Sequence, residues 1–239
     1  MMRKKAVLFD AGLTLVNIYE KGKSEMFSYF CNLALDDKTY AKLDLLQGAK
    51  RAELHFQISH NNREYQKSDS FWIDNYAEGL IGAGLPKSEA YLWSPIIDKR
   101  VAEISKTYSL IDGVEDVLST LKSHGYCLAI VSNWEKQSLK RDMDCLRISH
   151  YFDYIADSSV EGFSKPDPAI FKIVLAKLGL NPAEAIHIGD LYYSDIIGAQ
   201  SAGIDAILYD ECDALGDRFD CRRILKITDI LGIEELKYE

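Results

Sequence analysis

The sequence lacks a cysteine pattern that would indicate a disulfide framework or a structural zinc site. Its 239 residues include five cysteines, an odd number, and no two of them form a CxxC pair. The histidines offer no substitute, because His55 and His60 are five residues apart and a helical zinc pair needs a spacing of four. We therefore predict a chain that stays reduced, in the cytoplasm.

Long apolar runs are also missing. No stretch approaches the ~20 consecutive apolar residues that cross a bilayer. The run that follows the basic N-terminus is only Ala6-Val7-Leu8-Phe9 before the charged Asp10, which is too short for a signal peptide. We expect no membrane partner.

Positive charge is scarce. The chain has 28 Lys and Arg against 37 Asp and Glu, a formal net charge of −9, and no basic run. Such a field repels nucleic acid at long range, so we expect no nucleic-acid partner. It would also repel a phosphorylated substrate, so a site for one must supply local positive charge, and a bound cation would do that.

A dinucleotide-binding loop is absent too, because the glycines from Gly79 to Gly84 follow no predicted strand and do not fit GxGxxG. What is present is an alternation of buried strands and helices, which predicts an α/β fold with a Rossmann-like, doubly wound parallel sheet. The predicted elements are strand Lys5 to Asp10, helix Val114 to Ser123, strand Tyr126 to Val131, helix Glu135 to Leu146, strand Tyr154 to Ala156, helix Asp167 to Leu178, strand Ala185 to Ile188, helix Ser194 to Ala202 and strand Asp205 to Leu208.

Between Asn17 and Tyr108 the sequence has helical periodicity and little strand character. We predict a core domain of residues 1–16 and 109–239, with a helical domain of residues 17–108 inserted in it. The predicted helical segments are Ser24 to Leu35, Lys38 to Ile58, Ser68 to Leu80 and Lys87 to Lys106.

Polar clusters follow the predicted strands of the core. Ligands of doubly wound sheets bind beyond the carboxyl ends of the strands, so one pocket can gather these clusters. They are Asp10-Ala11-Gly12-Leu13-Thr14, Val131-Ser132-Asn133, Ser164-Lys165-Pro166-Asp167-Pro168 and Gly189-Asp190-Leu191-Tyr192-Tyr193-Ser194-Asp195.

In order and spacing these clusters resemble the four motifs of the haloacid dehalogenase superfamily, and the insertion is similar to that family's C1 cap. The resemblance implies a magnesium-dependent hydrolase, most simply a phosphatase of phosphorylated small molecules, acting as a monomer or homodimer. Asp10 would be the nucleophile that forms an aspartyl-phosphate, and Lys165 would assist it with its charge. The implied Mg²⁺ contacts are Asp10, Asp190, Asp195 and the backbone carbonyl of Gly12; the implied phosphate contacts are Thr14, Ser132, Asn133 and Lys165.

Gly12 departs from the family pattern, in which a second aspartate protonates the leaving oxygen. A general acid contributes ~10² to 10⁴ in rate, so ordinary alkyl phosphates should be poor substrates. Three alternatives stay open: an acid from the cap or the substrate, a leaving group such as that of an acyl phosphate, or feeble catalysis. A binding or regulatory protein on this fold is the rival hypothesis.

Relatives that cleave carbon–halogen or carbon–phosphorus bonds also lack this aspartate. The dehalogenases use no metal, and the pair Asp190 and Asp195 argues against them. Phosphonate cleavage needs a cap lysine, and the sequence singles out none among Lys21, Lys23, Lys38, Lys42 and Lys50. Trp134, Tyr192 and Tyr193 follow motif ends, where they either border the entrance or pack under the loops.

Overall fold

The computed structural model of the chain describes residues 4–134 and 136–237. Met1, Met2, Arg3 and Glu135, the predicted first residue of one helix, lie outside these ranges. The strands are β1 Ala6–Phe9, β2 Val16–Ile18, β3 Tyr108–Leu110, β4 Cys127–Ser132, β5 Tyr154–Asp157, β6 Ala185–Gly189, β7 Asp205–Tyr209 and β8 Arg222–Ile224. The α-helices are α1 Lys23–Ala34, α2 Asp37–Tyr40, α3 Leu45–Ser59, α4 Arg63–Gln66, α5 Phe71–Gly82, α6 Lys87–Ala102, α7 Val114–Ser123, α8 Leu139–Cys145, α9 Ser158–Glu161, α10 Pro168–Leu178 and α11 Gly198–Ser201.

The central feature is a six-stranded parallel sheet of order β5-β4-β1-β6-β7-β8, which confirms the predicted α/β fold. Its middle strands are apolar on both faces because helices cover both faces of a parallel sheet. Phe9, at the end of β1, lies opposite Ile130 of β4 and Ile188 of β6. The carboxyl ends of these three strands therefore meet at one edge.

The structure differs from the predicted elements in several places. The helix predicted over Glu135 to Leu146 is the shorter Leu139–Cys145, and the short helices α4 and α9 were not predicted. The segment Lys38 to Ile58 is two helices, because Asp44 accepts a hydrogen bond from the Gln47 N–H at 3.1 Å and starts α3 afresh. The helix predicted from Ser194 begins earlier, as a π-helix over Tyr192–Ile197. Strands β2, β3 and β8 are new; each has three residues, too few to show a hydrophobic period.

The chain divides into two compact units. The core unit comprises the described parts of Met1–Ile18, Tyr108–Asp210 and Phe219–Glu239. The strands β2 and β3 pair antiparallel within it, with Ile18 opposite Tyr108, where the chain leaves the core unit and returns. The core-domain limits predicted from sequence, residues 16 and 109, fall inside these two strands. Fully buried side chains such as Phe9, Leu118, Ile130 and Ile188 fill its interior.

The helical unit comprises Tyr19–Thr107 and Glu211–Arg218. Its packing depends on two glycines that make room for one ring: a Cβ on Gly48 of α3 or on Gly79 of α5 would lie 2.3 Å from the ring of Phe27. Because neither glycine has a side chain, the ring of Phe27 fits between α3 and α5. No helix among the described residues is long and apolar enough to cross a membrane.

Candidate active site

Three strand ends place acidic and hydroxyl groups at one edge of the sheet. Asp10 follows β1, and its N–H donates to the carbonyl of Ile188 in β6 at 2.8 Å, which continues the sheet pairing to the functional residue. Ser132 is the last residue of β4, and Asp190 follows β6. All three side chains are buried, so their partners are fixed by the protein rather than by water.

Lys165 joins the groups that these strands supply. Its ammonium donates to Oδ1 of Asp10, and it donates to Oδ1 of Asp195 at 2.6 Å. Ser132 Oγ donates to the same Oδ1 of Asp10 at 2.8 Å. The predicted nucleophile is thus held in one orientation by two donors, one of them charged.

Asp195 is held from three directions. Its Oδ1 accepts from Lys165 and lies 2.9 Å from Nε2 of His187, and its Oδ2 accepts from the N–H of Leu191 at 3.0 Å. His187 is fully buried, with its ring edge-on to Phe171 at 5.1 Å. Since a carboxylate accepts, Nε2 of His187 donates this bond.

His187 was not among the residues predicted from the sequence. The sequence does contain a sign that His187 contacts the site. His187 is the single polar residue in the apolar strand β6, and it lies three residues before Asp190. A polar side chain in a buried strand needs a hydrogen-bond partner.

The charges of the site shift the ionisation of its members. Burial raises the pKa of Asp10 above its ordinary value, and the negative charge of Asp195 acts in the same direction, against the charge of Lys165. Burial acts likewise on Asp195, but the Lys165 charge and the His187 hydrogen bond hold the pKa of Asp195 below its usual range. Burial alone would lower the pKa of Lys165, yet the two carboxylates raise it, so Lys165 is charged.

The donor set fits a hard divalent cation. Asp10, Asp190 and Asp195 each offer a carboxylate oxygen, and these oxygens lie within 4.8 Å of one another. Three carboxylates and one ammonium leave the buried site with excess negative charge. Oxygen ligands and this excess suit Mg²⁺, which binds through one or two carboxylates and keeps several waters.

Thr14 and Asn133 have contacts that the sequence did not predict. Thr14 is fully buried, and its hydroxyl lies 3.5 Å from Oδ1 of Asp190. Asn133 holds the main chain of Lys165, since its amide donates to the Lys165 carbonyl at 2.9 Å and accepts from the Lys165 N–H at 2.8 Å. Their contacts with phosphate stay predictions.

Gly12 lies beside Trp134. A Cβ on Gly12 would be 3.5 Å from Cζ3 of Trp134 and 3.8 Å from Cδ1 of Ile18, which are ordinary van der Waals distances. The backbone there therefore has room for a side chain, and nothing in the packing requires glycine. Trp134 is half-buried.

One of the lysines of the inserted segment is accounted for structurally. Lys23 is buried in the helical unit and pairs with Glu53 at 2.7 Å. A buried, ion-paired ammonium is a poor nucleophile toward a carbonyl substrate. This lysine therefore gives no support to phosphonate chemistry.

Comparisons with known proteins agree with this architecture. The family model of haloacid dehalogenase-like hydrolases matches residues 4–203. The mouse haloacid dehalogenase-like hydrolase domain-containing protein 3 is 30% identical over 162 residues, 67% of this chain and 63% of that protein. The alignment thus spans less than two thirds of that relative.

Two further matches are of interest. A glyceraldehyde 3-phosphate phosphatase of Methanothermobacter thermautotrophicus is 35% identical over 128 residues, 50% of this chain and 54% of that enzyme. The crystal structure of a hydrolase of the same superfamily from Ehrlichia chaffeensis is 25% identical, has a TM-score of 0.56, and covers 97% of this chain and 96% of its own.

Proposed function

Because the chain belongs to the haloacid dehalogenase-like hydrolases, we propose that it is a magnesium-dependent phosphatase of phosphorylated small molecules. The observation that best supports this is the buried ammonium of Lys165 between Asp10 and Asp195. This arrangement keeps a carboxylate oriented and partly neutralised beside the place where an anionic phosphate would bind. A site that only binds phosphate has no need of such a carboxylate.

In the proposed reaction an oxygen of Asp10 attacks phosphorus as the bond to the leaving oxygen breaks. The leaving group departs with the bonding electrons, and Asp10 becomes an aspartyl-phosphate. Water then attacks phosphorus, the bond to Asp10 breaks, and inorganic phosphate is released with the carboxylate restored. Lys165 and Ser132 hold Asp10 in line and face the charge that develops on the phosphoryl oxygens.

Asp10, Asp190 and Asp195 are the side chains that would hold Mg²⁺, with the carbonyl of Gly12 as a predicted fourth contact. The bound cation would neutralise charge on the phosphoryl oxygens. His187 and the Leu191 N–H fix the carboxylate of Asp195. Such outer contacts orient metal ligands and are needed nearly as much as the ligands themselves.

The test is hydrolysis of an aryl phosphate and of acetyl phosphate, with Mg²⁺ and with a chelator. We expect Mg²⁺-dependent turnover, and we expect Asp10→Asn to abolish it, because an amide oxygen is a poor nucleophile although the side chain is nearly isosteric. A substrate carrying radioactive phosphorus should leave label on wild-type protein that is denatured with acid during turnover, and hydroxylamine, which cleaves acyl phosphates, should remove the label.

The fold of Asp10→Asn is checked by circular dichroism and thermal unfolding. Wild-type activity in a folded Asp10→Asn would show that another group attacks phosphorus. If the wild-type protein hydrolyses neither compound and takes up no label, the binding or regulatory role replaces the phosphatase.

A further inference from the structure

We propose that Trp134 is a specificity-determining residue, and that it selects phosphate compounds whose leaving group is an aromatic ring and departs without being protonated, such as aryl phosphates. The inference rests on the proposed function and names its substrate class. The supporting observation is the indole that lies beside Gly12, where the chain carries no acidic side chain.

Trp134 is close to the nucleophile both in sequence and in contact. It follows Ser132, whose hydroxyl binds Asp10, by two residues. Its ring lies against Gly12, which itself follows Asp10 by two residues. Strands β1 and β4, which place these residues, are direct neighbours in the sheet. The indole therefore lies against the loop that follows the attacking residue.

Two sets of side chains of different character lie near Asp10. The charged set is Asp190, Asp195 and the ammonium of Lys165. The apolar set is Ile18, Tyr108 and Trp134, which we call the indole wall: Ile18 and Trp134 both lie against Gly12, and Ile18 pairs with Tyr108. The ring centres of Tyr108 and Trp134 are 5.3 Å apart, and all three side chains are half-buried. In the proposal the phosphoryl group lies at the charged set, which leaves the wall for the leaving group.

The indole is fixed in place. Its Nε1 donates to Ser138 Oγ at 3.1 Å and to Oδ2 of Asp142 at 3.0 Å. A ring that is held at its polar edge presents a rigid apolar face. Such a face stacks well on a planar aromatic group and binds a flexible alkyl group less strongly.

Asp142 does not supply the missing proton. Although burial acts in the opposite direction, hydrogen bonds from Ser138 and Trp134 hold the pKa of Asp142 below its ordinary value, so it is ionised at neutral pH. The wall contains no carboxylic acid, the group that would stand in for the missing aspartate. A leaving group that is stable as an anion needs none, which is the property of phenolates.

The first experiment compares phenyl phosphates of similar size whose phenols differ in acidity, together with an alkyl phosphate. We expect kcat/KM to fall steeply as the leaving group becomes more basic, with the alkyl phosphate at least 100-fold poorer than p-nitrophenyl phosphate. Gly12→Asp should flatten this dependence, whereas Gly12→Ala, which adds only the Cβ, should not. Equal rates for aryl and alkyl phosphates in the wild-type protein would overturn the proposal.

The second experiment tests the contact with the ring. Trp134→Leu should raise KM for p-nitrophenyl phosphate by about 3- to 10-fold, the range of an aromatic contact, and change kcat/KM for the small acetyl phosphate by less than about 2-fold. Trp134→Phe keeps a flat face and should recover part of the lost affinity. Tyr151→Leu is the matched control. Tyr151 is half-buried in the core unit and precedes β5, so it lies at the amino-terminal end of the strands, away from the carboxyl ends that carry the site.

The outcomes separate this proposal from the proposed function. Equal losses on both substrates in Trp134→Leu, with no recovery in Trp134→Phe, would assign Trp134 a structural role and refute the specificity role while the phosphatase stands. Absence of turnover and of phosphate labelling in the wild-type protein would refute both.

Discussion

At the scale of single residues, the site depends on side chains that position its charged groups. Asn133 is exposed, yet both ends of its amide bind the main chain of Lys165. The sequence placed Asn133 among the phosphate contacts, and the structure shows its amide bonded to the loop that delivers the ammonium. Its contribution to catalysis would then be the position of Lys165.

Asn133→Ala tests this role. We expect kcat for an aryl phosphate to fall by about 10- to 100-fold, because a displacement of about 1 Å in a catalytic group can cost 10²-fold. The unfolding free energy should change by about 1 kcal/mol or less, since water can replace the lost bonds at an exposed position. Steady-state kinetics and urea unfolding measure the two effects.

Gln200→Ala is the matched control, because Gln200 is an exposed carboxamide of α11 in the same unit. A variant of Asn133 with wild-type kcat would show that the Lys165 loop holds its position without this amide.

At the scale of elements, the π-helix Tyr192–Ile197 brings Asp195 back against the end of β6. A Cβ on Gly189 would lie 2.2 Å from the carboxyl carbon of Asp195, so the close return requires glycine. π-helical turns are rare and frequently occur at functional sites. Here the turn places a carboxylate five residues beyond Asp190 in the same cluster.

Gly189→Ala should therefore displace Asp195. We expect a loss of about 100-fold or more in kcat/KM and a destabilisation of about 1 to 3 kcal/mol from overpacking. Steady-state kinetics at increasing Mg²⁺ concentration measure the loss in kcat/KM, and thermal unfolding measures the destabilisation. Gly232→Ala, where a Cβ would meet nothing within 4 Å, should match the wild type in both. A fully active Gly189→Ala would mean that Asp195 can move without loss.

At the scale of the whole molecule, the negative charge of the protein opposes binding of an anionic substrate unless a cation is bound. The net charge of −9 adds to the excess negative charge of the buried carboxylates. A cation that binds the folded site and not the unfolded chain stabilises the fold by mass action, by about 2.7 kcal/mol at 100 times its Kd.

Mg²⁺ should accordingly raise Tm by about 5 to 10 °C at that concentration, since about 1 kcal/mol corresponds to roughly 2 to 4 °C for a chain of this size. Asp190→Asn should lose most of this shift, because it removes one of the clustered carboxylates. Differential scanning fluorimetry with and without a chelator measures it. An equal shift in wild type and Asp190→Asn would place the cation elsewhere.

The sequence by itself determined the fold class and which residues form the cluster. Buried parallel strands are continuous apolar runs, and the polar residues that follow them must lie at the carboxyl edge of the sheet. That rule alone is enough to bring Asp10, Ser132 and Asp190 together. The resemblance to the family also identified Gly12 as the departure from its pattern, because that departure is a matter of residue identity.

Only the tertiary structure decided what surrounds these residues. The contact of His187 with Asp195, the amide of Asn133 on the Lys165 main chain and the indole beside Gly12 each depend on side-chain directions. Such directions follow from packing against residues distant in sequence, about which local patterns hold no information. The short strands β2 and β3 were missed for the same reason: each is specified by its pairing partner about 90 residues away, and not by its own three residues.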